Sequence, residues 1–271
     1  MLDRNRIKHS FHANAEQYDG LATVQRRVAE RVAGLLREQC LSPSALLDVG
    51  CGTGTLLNLL GIQYPDARLI GLDLAFNMAR QATAKVRSGT HLTNGDAELL
   101  PFRDCAFDLV VTTSTLQWMD TLDKSVAEML RVVAPGGMVL IAYFGRETLW
   151  ELRECYGQVL QQRGKHRHGP HQQRLHQFKD AGELKDALSA AGAETLLVRG
   201  EREVVRHRNV RELLAAIKNI GAGTAARRSA GGLGWRGILK DLDTEYSRRF
   251  RCAGSIPATY EVVYAIARRV S

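Results

Sequence analysis

Hydrophobic positions along this chain follow three patterns in turn. Near the start, Phe11, Ala15, Tyr18, Ala22 and Gln25 recur at spacings of four, three, four and three. That period predicts one face of a helix, interrupted at Gly20. Val24, Val28, Val32, Leu35 and Leu36 continue it as an amphipathic helix, with Arg26, Arg27, Arg31 and Arg37 elsewhere on its surface. Ser42-Pro43-Ser44 ends it.

From residue 45 the pattern becomes short apolar runs separated by helical periods. The runs Ala45–Val49, Arg68–Leu72, His91–Thr93, Phe107–Val111 and Met138–Phe144 read as strands. The intervening stretches from about Leu56, from Ala75 to Val86 and from Leu122 to Val133 read as helices, the last one closed by Pro135-Gly136-Gly137. Alternating strands and helices joined by short turns predict a parallel, doubly wound sheet covered on both faces.

After Phe144 the pattern changes again. Glu147–Gln162, Ala181–Ala190, Val210–Ile220 and Leu239–Phe250 read as helices. Glu194–Arg206 and Ala258–Arg268 read as long strands. Glycine clusters at 221–223 and 231–234 flank a basic loop with Arg227 and Arg228. A helical insertion therefore interrupts the sheet late and is placed to cover a site. The organisation expected is a helical cap over 1–40, a cofactor-binding core over 41–147 and the rest of the sheet with its helical lid over 148–271, as one catalytic domain.

Composition narrows the class. The chain has 271 residues, 45% hydrophobic and 24% charged, which is ordinary for a globular protein with a disulfide-free core. No apolar run approaches the ~18 residues that span a bilayer, and no apolar segment follows Met1. Five scattered cysteines (Cys40, Cys51, Cys105, Cys155, Cys252) form no CxxC pair, which argues against a zinc site or disulfide framework and for a reducing cytoplasm. The net charge of +8 attracts acidic partners without choosing among them.

The strongest chemical signal is Asp48-Val49-Gly50-Cys51-Gly52-Thr53-Gly54 at the end of the first strand. Glycines there allow a tight turn and close approach of a ligand, and the following helix offers free N–H groups. Asp73, 19 residues past Gly54, stands where a carboxylate accepts both ribose hydroxyls. The spacing is GxGxG rather than the dinucleotide GxGxxG. An acid, Asp48, precedes it and suits an ammonium rather than a pyrophosphate. Asp96, after the third strand, can accept from an adenine amino group, with Ala97 and Leu99 supplying apolar contact. Any one of these acids alone reads equally as a surface residue or a helix cap.

Taken in order, these features resemble the class I S-adenosylmethionine-dependent methyltransferases through 46–54, 69–74, 95–102, 107–111 and 130–138. That resemblance implies a Rossmann-like seven-stranded sheet with an antiparallel last strand at Ala258–Arg268. It also implies S-adenosylmethionine as cofactor, held by Asp48, Gly50, Cys51, Gly52, Gly54, Asp73, Leu74, Asp96 and Ala97. Four further signatures are similar to the malonyl-acyl-carrier-protein O-methyltransferases of biotin synthesis. They are Phe11-x3-Ala15-x2-Tyr18-Asp19-x2-Ala22-x2-Gln25, Leu116-Gln117-Trp118, Lys218-x-Ile220-Gly221-Ala222 and Thr259-Tyr260-Glu261-Val262-Val263-Tyr264. This narrower resemblance implies methylation of the free carboxylate of a malonyl thioester on an acyl carrier protein.

Such an acceptor is already ionised at neutral pH and needs no general base. Arg146, after the fifth strand, is the expected partner of the malonyl carboxylate, and equally reads as a solvated arginine near a helix start. Tyr18 and Gln117 are expected to line the methyl-transfer pocket, with Trp118 as its wall. His166, His168, His171 and His176 lie in a polar loop that no helix organises, so no metal is expected. The arginine clusters at 202–211, 227–228 and 248–251 read as solvated faces or, if functional, as a docking surface for an acidic carrier protein. Few aromatics interleave with them, which argues against RNA. Competing readings are a methyltransferase of another small acid, a quinone precursor or a phenol, and a basic S-adenosylmethionine-binding protein acting on RNA.

Overall fold

A computed structural model describes residues 4–164, 176–220 and 233–270. The apolar runs pair into one seven-stranded sheet. Its strands are β1 (Ala45–Val49), β2 (Arg68–Asp73), β3 (His91–Asn94), β4 (Phe107–Thr113), β5 (Val133–Phe144), β6 (Ala193–His207) and β7 (Ile256–Arg269), in the order β3-β2-β1-β4-β5-β7-β6. The first five are parallel, and β7 runs antiparallel to both β5 and β6. Every residue of β1 is buried, as a strand covered on both faces requires. Sheets of this kind bind ligands beyond the carboxyl ends of the strands, where the order reverses between β1 and β4.

The helices are α1 (Arg4–Asn14), α2 (Tyr18–Leu21), α3 (Thr23–Glu38), α4 (Thr55–Gln63), α5 (Phe76–Ala82), α6 (Asp123–Val132), α7 (Trp150–Gln162), α8 (Ala181–Ala190), α9 (Val210–Asn219) and α10 (Leu233–Phe250). One apolar core packs α3, α4, α7, α9 and α10 on one face of the sheet; a second packs α6 and α8 on the other. Among the described residues no helix is long and apolar enough to cross a membrane.

Several boundaries differ from those the sequence pattern predicts, α7 among them, which starts at Trp150 rather than Glu147. The N-terminal helix breaks at residues 15–17 and at Ala22, with Gly20 inside α2. Asn14 folds its amide back onto the Ser10 carbonyl, and the Gln17 N–H closes a turn on the Asn14 carbonyl. α5 stops at Ala82 rather than Val86, because the chain tightens there into turns in which the Ala84 and Lys85 N–H groups reach back only three residues. β5 begins at Val133, before the Pro-Gly-Gly sequence. Val133 pairs with Phe107, the register then shifts, and Met138 pairs with Leu109, so the expected stop is absorbed as an irregularity within the strand. α10 starts at Leu233, earlier than Leu239.

Candidate active site

The loop after β1 is folded over the end of β2, where the Leu72 carbonyl accepts from both the Gly50 and Cys51 N–H groups (2.7 and 3.0 Å). Gly50, Gly52 and Gly54 all take the left-handed conformation (φ 76°, 54° and 82°), which only glycine adopts without strain. Their surroundings give them different tasks. A Cβ on Gly50 would overlap the Thr115 side chain, and one on Gly54 would fall 2.9 Å from Ala82 and Val86 beside α5. A Cβ on Gly52 would meet nothing within 4 Å. Gly50 and Gly54 thus serve close packing, while Gly52 faces open space where a ligand can lie against the backbone.

Asp73 closes the loop from the other side. One carboxylate oxygen accepts from the Gly52 N–H (2.8 Å) and the other from the Ala75 N–H (2.7 Å). A carboxylate oxygen has a second lone pair, so both remain able to accept from a ribose diol. Asp96 turns on itself, accepting from the Glu98 N–H (2.8 Å), and so presents Gly95 and the buried Ala97 to the same space.

These elements enclose a cavity of about 740 Å³, counted out to its open mouth, lined by Gly50, Gly52, Asp73, Leu74, Gly95 and Ala97. The helical cap roofs it through Phe11 and Tyr18. The cap is tied down by Asp19 of α2, which accepts from the Thr53 hydroxyl (2.5 Å) and ion-pairs with Lys85. Of the residues expected at the cofactor, Asp48, Cys51, Gly54 and Asp96 are absent from this lining. Cys51 instead packs into the core, its Sγ over Gly71 of β2, and burial pushes its thiol well up. Asp48 is 1% exposed and neither of its oxygens has a partner. Burial first, and then the Asp73 charge, push it up to about 8.

A second cavity of about 480 Å³ adjoins the first and shares Phe11, Tyr18, Ser114 and Trp118 with it. Its remaining walls come from distant parts of the chain: Gln25, Gln117, Phe144, Phe178, Ile217 and Tyr260 among them. Helices α3 and α9 and strands β5 and β7 all contribute, so the late insertion does reach the site. Tyr18 stands between the two cavities, its phenol raised above its ordinary value by burial and then by Asp73. It therefore stays protonated and cannot serve as a base at neutral pH.

The junction of the cavities is built by the turn after β4. Ser114 sits at φ 53°, a strained conformation for a residue other than glycine. Three hydrogen bonds hold it there: Ser114 N–H to the Ala142 carbonyl (2.8 Å), Gln117 Nε2 to the Ser114 carbonyl (2.6 Å) and Thr115 Oγ1 to the Thr113 carbonyl (3.0 Å). A short 3-10 turn, Leu116–Trp118, follows. Gln117 thus fastens the turn that carries it. Beneath lies His176, its ring 5.0 Å from that of Trp118 and 4.5 Å from that of Phe178, held neutral by burial, which lowers it to about 4. It is an aromatic support rather than a ligand; His166, His168 and His171 lie outside the described residues, as do Arg227 and Arg228. Among the described residues no group of three or more His, Cys, Asp or Glu side chains is placed to hold a metal.

Arg146 is not part of either lining. Its side chain is 60% exposed and pairs with Asp180 (2.6 Å) and Glu183 (3.5 Å), the two residues that form the capping box of α8. The position after β5 is at the ligand edge, but the chain turns outward at Gly145 and takes the guanidinium to α8. Sequence reasoning passed over Ser114 and His176 as parts of the site. Ser114 was findable from its place just beyond the carboxyl end of β4; His176 was not, since only the tertiary fold brings it under Trp118.

Residues 47–141 match a family model described as a methyltransferase domain. The malonyl-[acyl-carrier protein] O-methyltransferase of Geobacter sulfurreducens is 42% identical over 99% of this chain and 100% of its own length. That of Methylovorus sp. is 33% identical over 97% of this chain and 88% of its own. Among solved structures, the YcgJ protein of Bacillus subtilis superposes with a TM-score of 0.59 over 89% of this chain and 99% of its own, at 17% identity, a likeness of fold alone.

Proposed function

The chain belongs to the malonyl-[acyl-carrier protein] O-methyltransferases, and from that premise we propose that its two adjoining cavities divide the reaction between them, cofactor in the first and malonyl thioester in the second. The enzyme transfers a methyl group from S-adenosylmethionine to the free carboxylate of malonyl-acyl carrier protein, an early step of biotin synthesis. The observation that carries the division is the shared wall of Phe11, Tyr18, Ser114 and Trp118, where reactants in the two cavities can meet.

The donor set of the first cavity fits the cofactor. Asp73 takes the ribose hydroxyls, Leu74 and Ala97 pack on the adenine and Gly52 leaves room for the methionine portion, while Asp48, buried behind the loop and outside the lining, acts on its ammonium as a charge through the loop rather than by direct contact. When bound, the cofactor supplies an electrophilic methyl on a sulfonium. The malonyl carboxylate would accept that methyl at one oxygen, with sulfur keeping the electron pair of the broken carbon–sulfur bond. No proton moves. Among the described lining residues none is poised to remove one, which suits an acceptor already ionised. The protein's work is to position the reactants and exclude water, for which orientation can supply on the order of 7–11 kcal/mol. Tyr18 and Trp118 do this from the wall, and Gln117 by holding the turn.

Intact-mass spectrometry of malonyl-acyl carrier protein incubated with the enzyme and S-adenosylmethionine is expected to show a one-methyl gain. Acetyl-acyl carrier protein, which lacks the free carboxylate, should show none. Methylation of neither species, with cofactor binding measured separately, would overturn the reading.

The carrier's docking face is the finer part of this reading. Arg211 and Lys218 are exposed on α9 seven residues apart, hence on one face, and Ile217 and Ile220 at the end of that helix line the second cavity. At its start, Arg251 donates to the Arg208 carbonyl (2.7 Å), which brings two more exposed arginines together. Ten residues of helix span about 15 Å, a distance an extended pantetheine arm can bridge from an acidic carrier to the cavity. Reversing Arg211 and Lys218 together to glutamate should raise KM for malonyl-acyl carrier protein about tenfold and leave malonyl-coenzyme A turnover unchanged. Equal effects on both thioesters would move the docking face elsewhere. The five free cysteines are consistent with a cytoplasmic enzyme.

A further inference from the structure

The lining of the second cavity poses a problem for a substrate that carries a carboxylate. It contains no lysine, arginine or histidine among the described residues, and Arg146 is held by two acids of α8. What it does contain is a pair of unpartnered hydrogen-bond donors. The indole Nε1–H of Trp118 and the hydroxyl of Ser114 are both buried without a partner. Trp118 is only 9% exposed, and both residues line both cavities. A buried donor without an acceptor costs stability unless a ligand satisfies it. The Ser114 backbone is in addition fixed at φ 53° by hydrogen bonds at its own N–H and carbonyl, so the fold maintains a strained backbone at the residue that carries this hydroxyl.

We infer that Trp118 Nε1–H and Ser114 Oγ–H together hold one oxygen of the malonyl carboxylate and leave the other free to attack. The inference rests on the reaction proposed above and identifies its specificity residues. Neutral donors are the suitable kind here. A guanidinium gripping both oxygens would draw charge from the nucleophile, whereas two donors on one oxygen orient the group and spare the other. The opposite charge that draws the carboxylate in comes from the sulfonium in the neighbouring cavity. The unpartnered atoms next to this pair, Gln117 Oε1 in the lining and the Nε2 of neutral His176 behind Trp118, are acceptors and take no part in holding an anion.

The test uses two variants of the full-length enzyme, with KM for malonyl-acyl carrier protein and Kd for S-adenosylmethionine measured side by side. Trp118→Phe keeps an aromatic wall and removes the donor. Ser114→Gly removes the hydroxyl while supplying the residue best suited to a positive φ, so its melting temperature should be unchanged or higher. Each is expected to raise KM ~10- to 100-fold, in line with loss of a hydrogen bond to a charged group, with Kd for the cofactor unchanged. A stabilised Ser114→Gly protein with weakened substrate use is a combination that a merely structural role does not give. Unchanged KM in both variants would overturn the inference. A parallel rise in cofactor Kd would also overturn it, assigning the donors to the methionine carboxylate instead. If the parent enzyme itself fails to methylate malonyl-acyl carrier protein, it is the proposed reaction that falls, a result distinguishable because it precedes either variant.

Discussion

Asp73→Ala is expected to weaken S-adenosylmethionine binding by about 100-fold or more while leaving the sheet intact, since two hydrogen bonds to a charged acceptor contribute about 3 kcal/mol or more. The carboxylate does two things at once. It accepts from the Gly52 and Ala75 N–H groups at 2.8 and 2.7 Å, which sets the floor of the cofactor cavity, and its free lone pairs face the ribose. Alanine removes both. Asp73→Asn separates them: the amide keeps one accepting oxygen but presents N–H groups to a backbone donor on the other side, so it should bind almost as poorly as alanine. Calorimetric titration with S-adenosylmethionine and with S-adenosylhomocysteine checks this. The two ligands should suffer equally, since they share the ribose. A loss confined to S-adenosylmethionine would mean that Asp73 senses the sulfonium charge instead, and an affinity indistinguishable from the parent's would remove Asp73 from the ribose.

That carboxylate was legible because β2 is short, its inner run Leu69–Leu72 is apolar and a charge bounds it at each end. The same logic made β1, β2 and α8 legible to within a residue. A strand buried on both faces leaves a continuous apolar run, and α8 keeps its helical period from Ala181 to Ala190. Local signals misled where tertiary packing outweighs them. Pro135-Gly136-Gly137 reads as a stop, yet neighbouring strands carry the chain through it. Gly20 reads as a break, yet the breaks fall on either side of it, at residues 15–17 and at Ala22, and the short α2 between them carries Tyr18 to the cavities and Asp19 to Thr53. The cofactor half of the site lies within about fifty residues of sequence and could be assembled from strand ends. The substrate half draws on α1, the turn after β4, α9 and β7, whose proximity no spacing records. Arg146 illustrates the difference: it follows β5, and only the packing of α8 shows which acids take its charge.

Asp48→Asn carries the other large expected effect, and its sign depends on what is bound. In the free protein Asp48 is buried without a partner and pushed up to about 8, mainly by burial. An unfolded aspartate titrates near ~4. Between those values the folded chain binds more protons at this site than the unfolded chain does. Stability from Asp48 is therefore complete below about 4 and falls as pH rises through about 8. Asparagine cannot ionise, so the variant's melting temperature should lack this decline and exceed the parent's at pH 8. Cofactor binding should move the other way. An ammonium above Asp48 favours the carboxylate, so binding releases a proton, and the parent's affinity should climb from pH 6 until the ligand's own amino group titrates near ~8. The asparagine variant has no charge to offer and should bind roughly 10- to 100-fold more weakly at pH 7.5, with little of that climb. Melting curves and titrations over one pH series measure both arms. A variant that is stabilised at high pH yet binds S-adenosylmethionine as the parent does would place the ammonium away from Asp48. A variant without stabilisation would mean that the buried carboxylate finds a hydrogen-bond donor or cation in the folded chain.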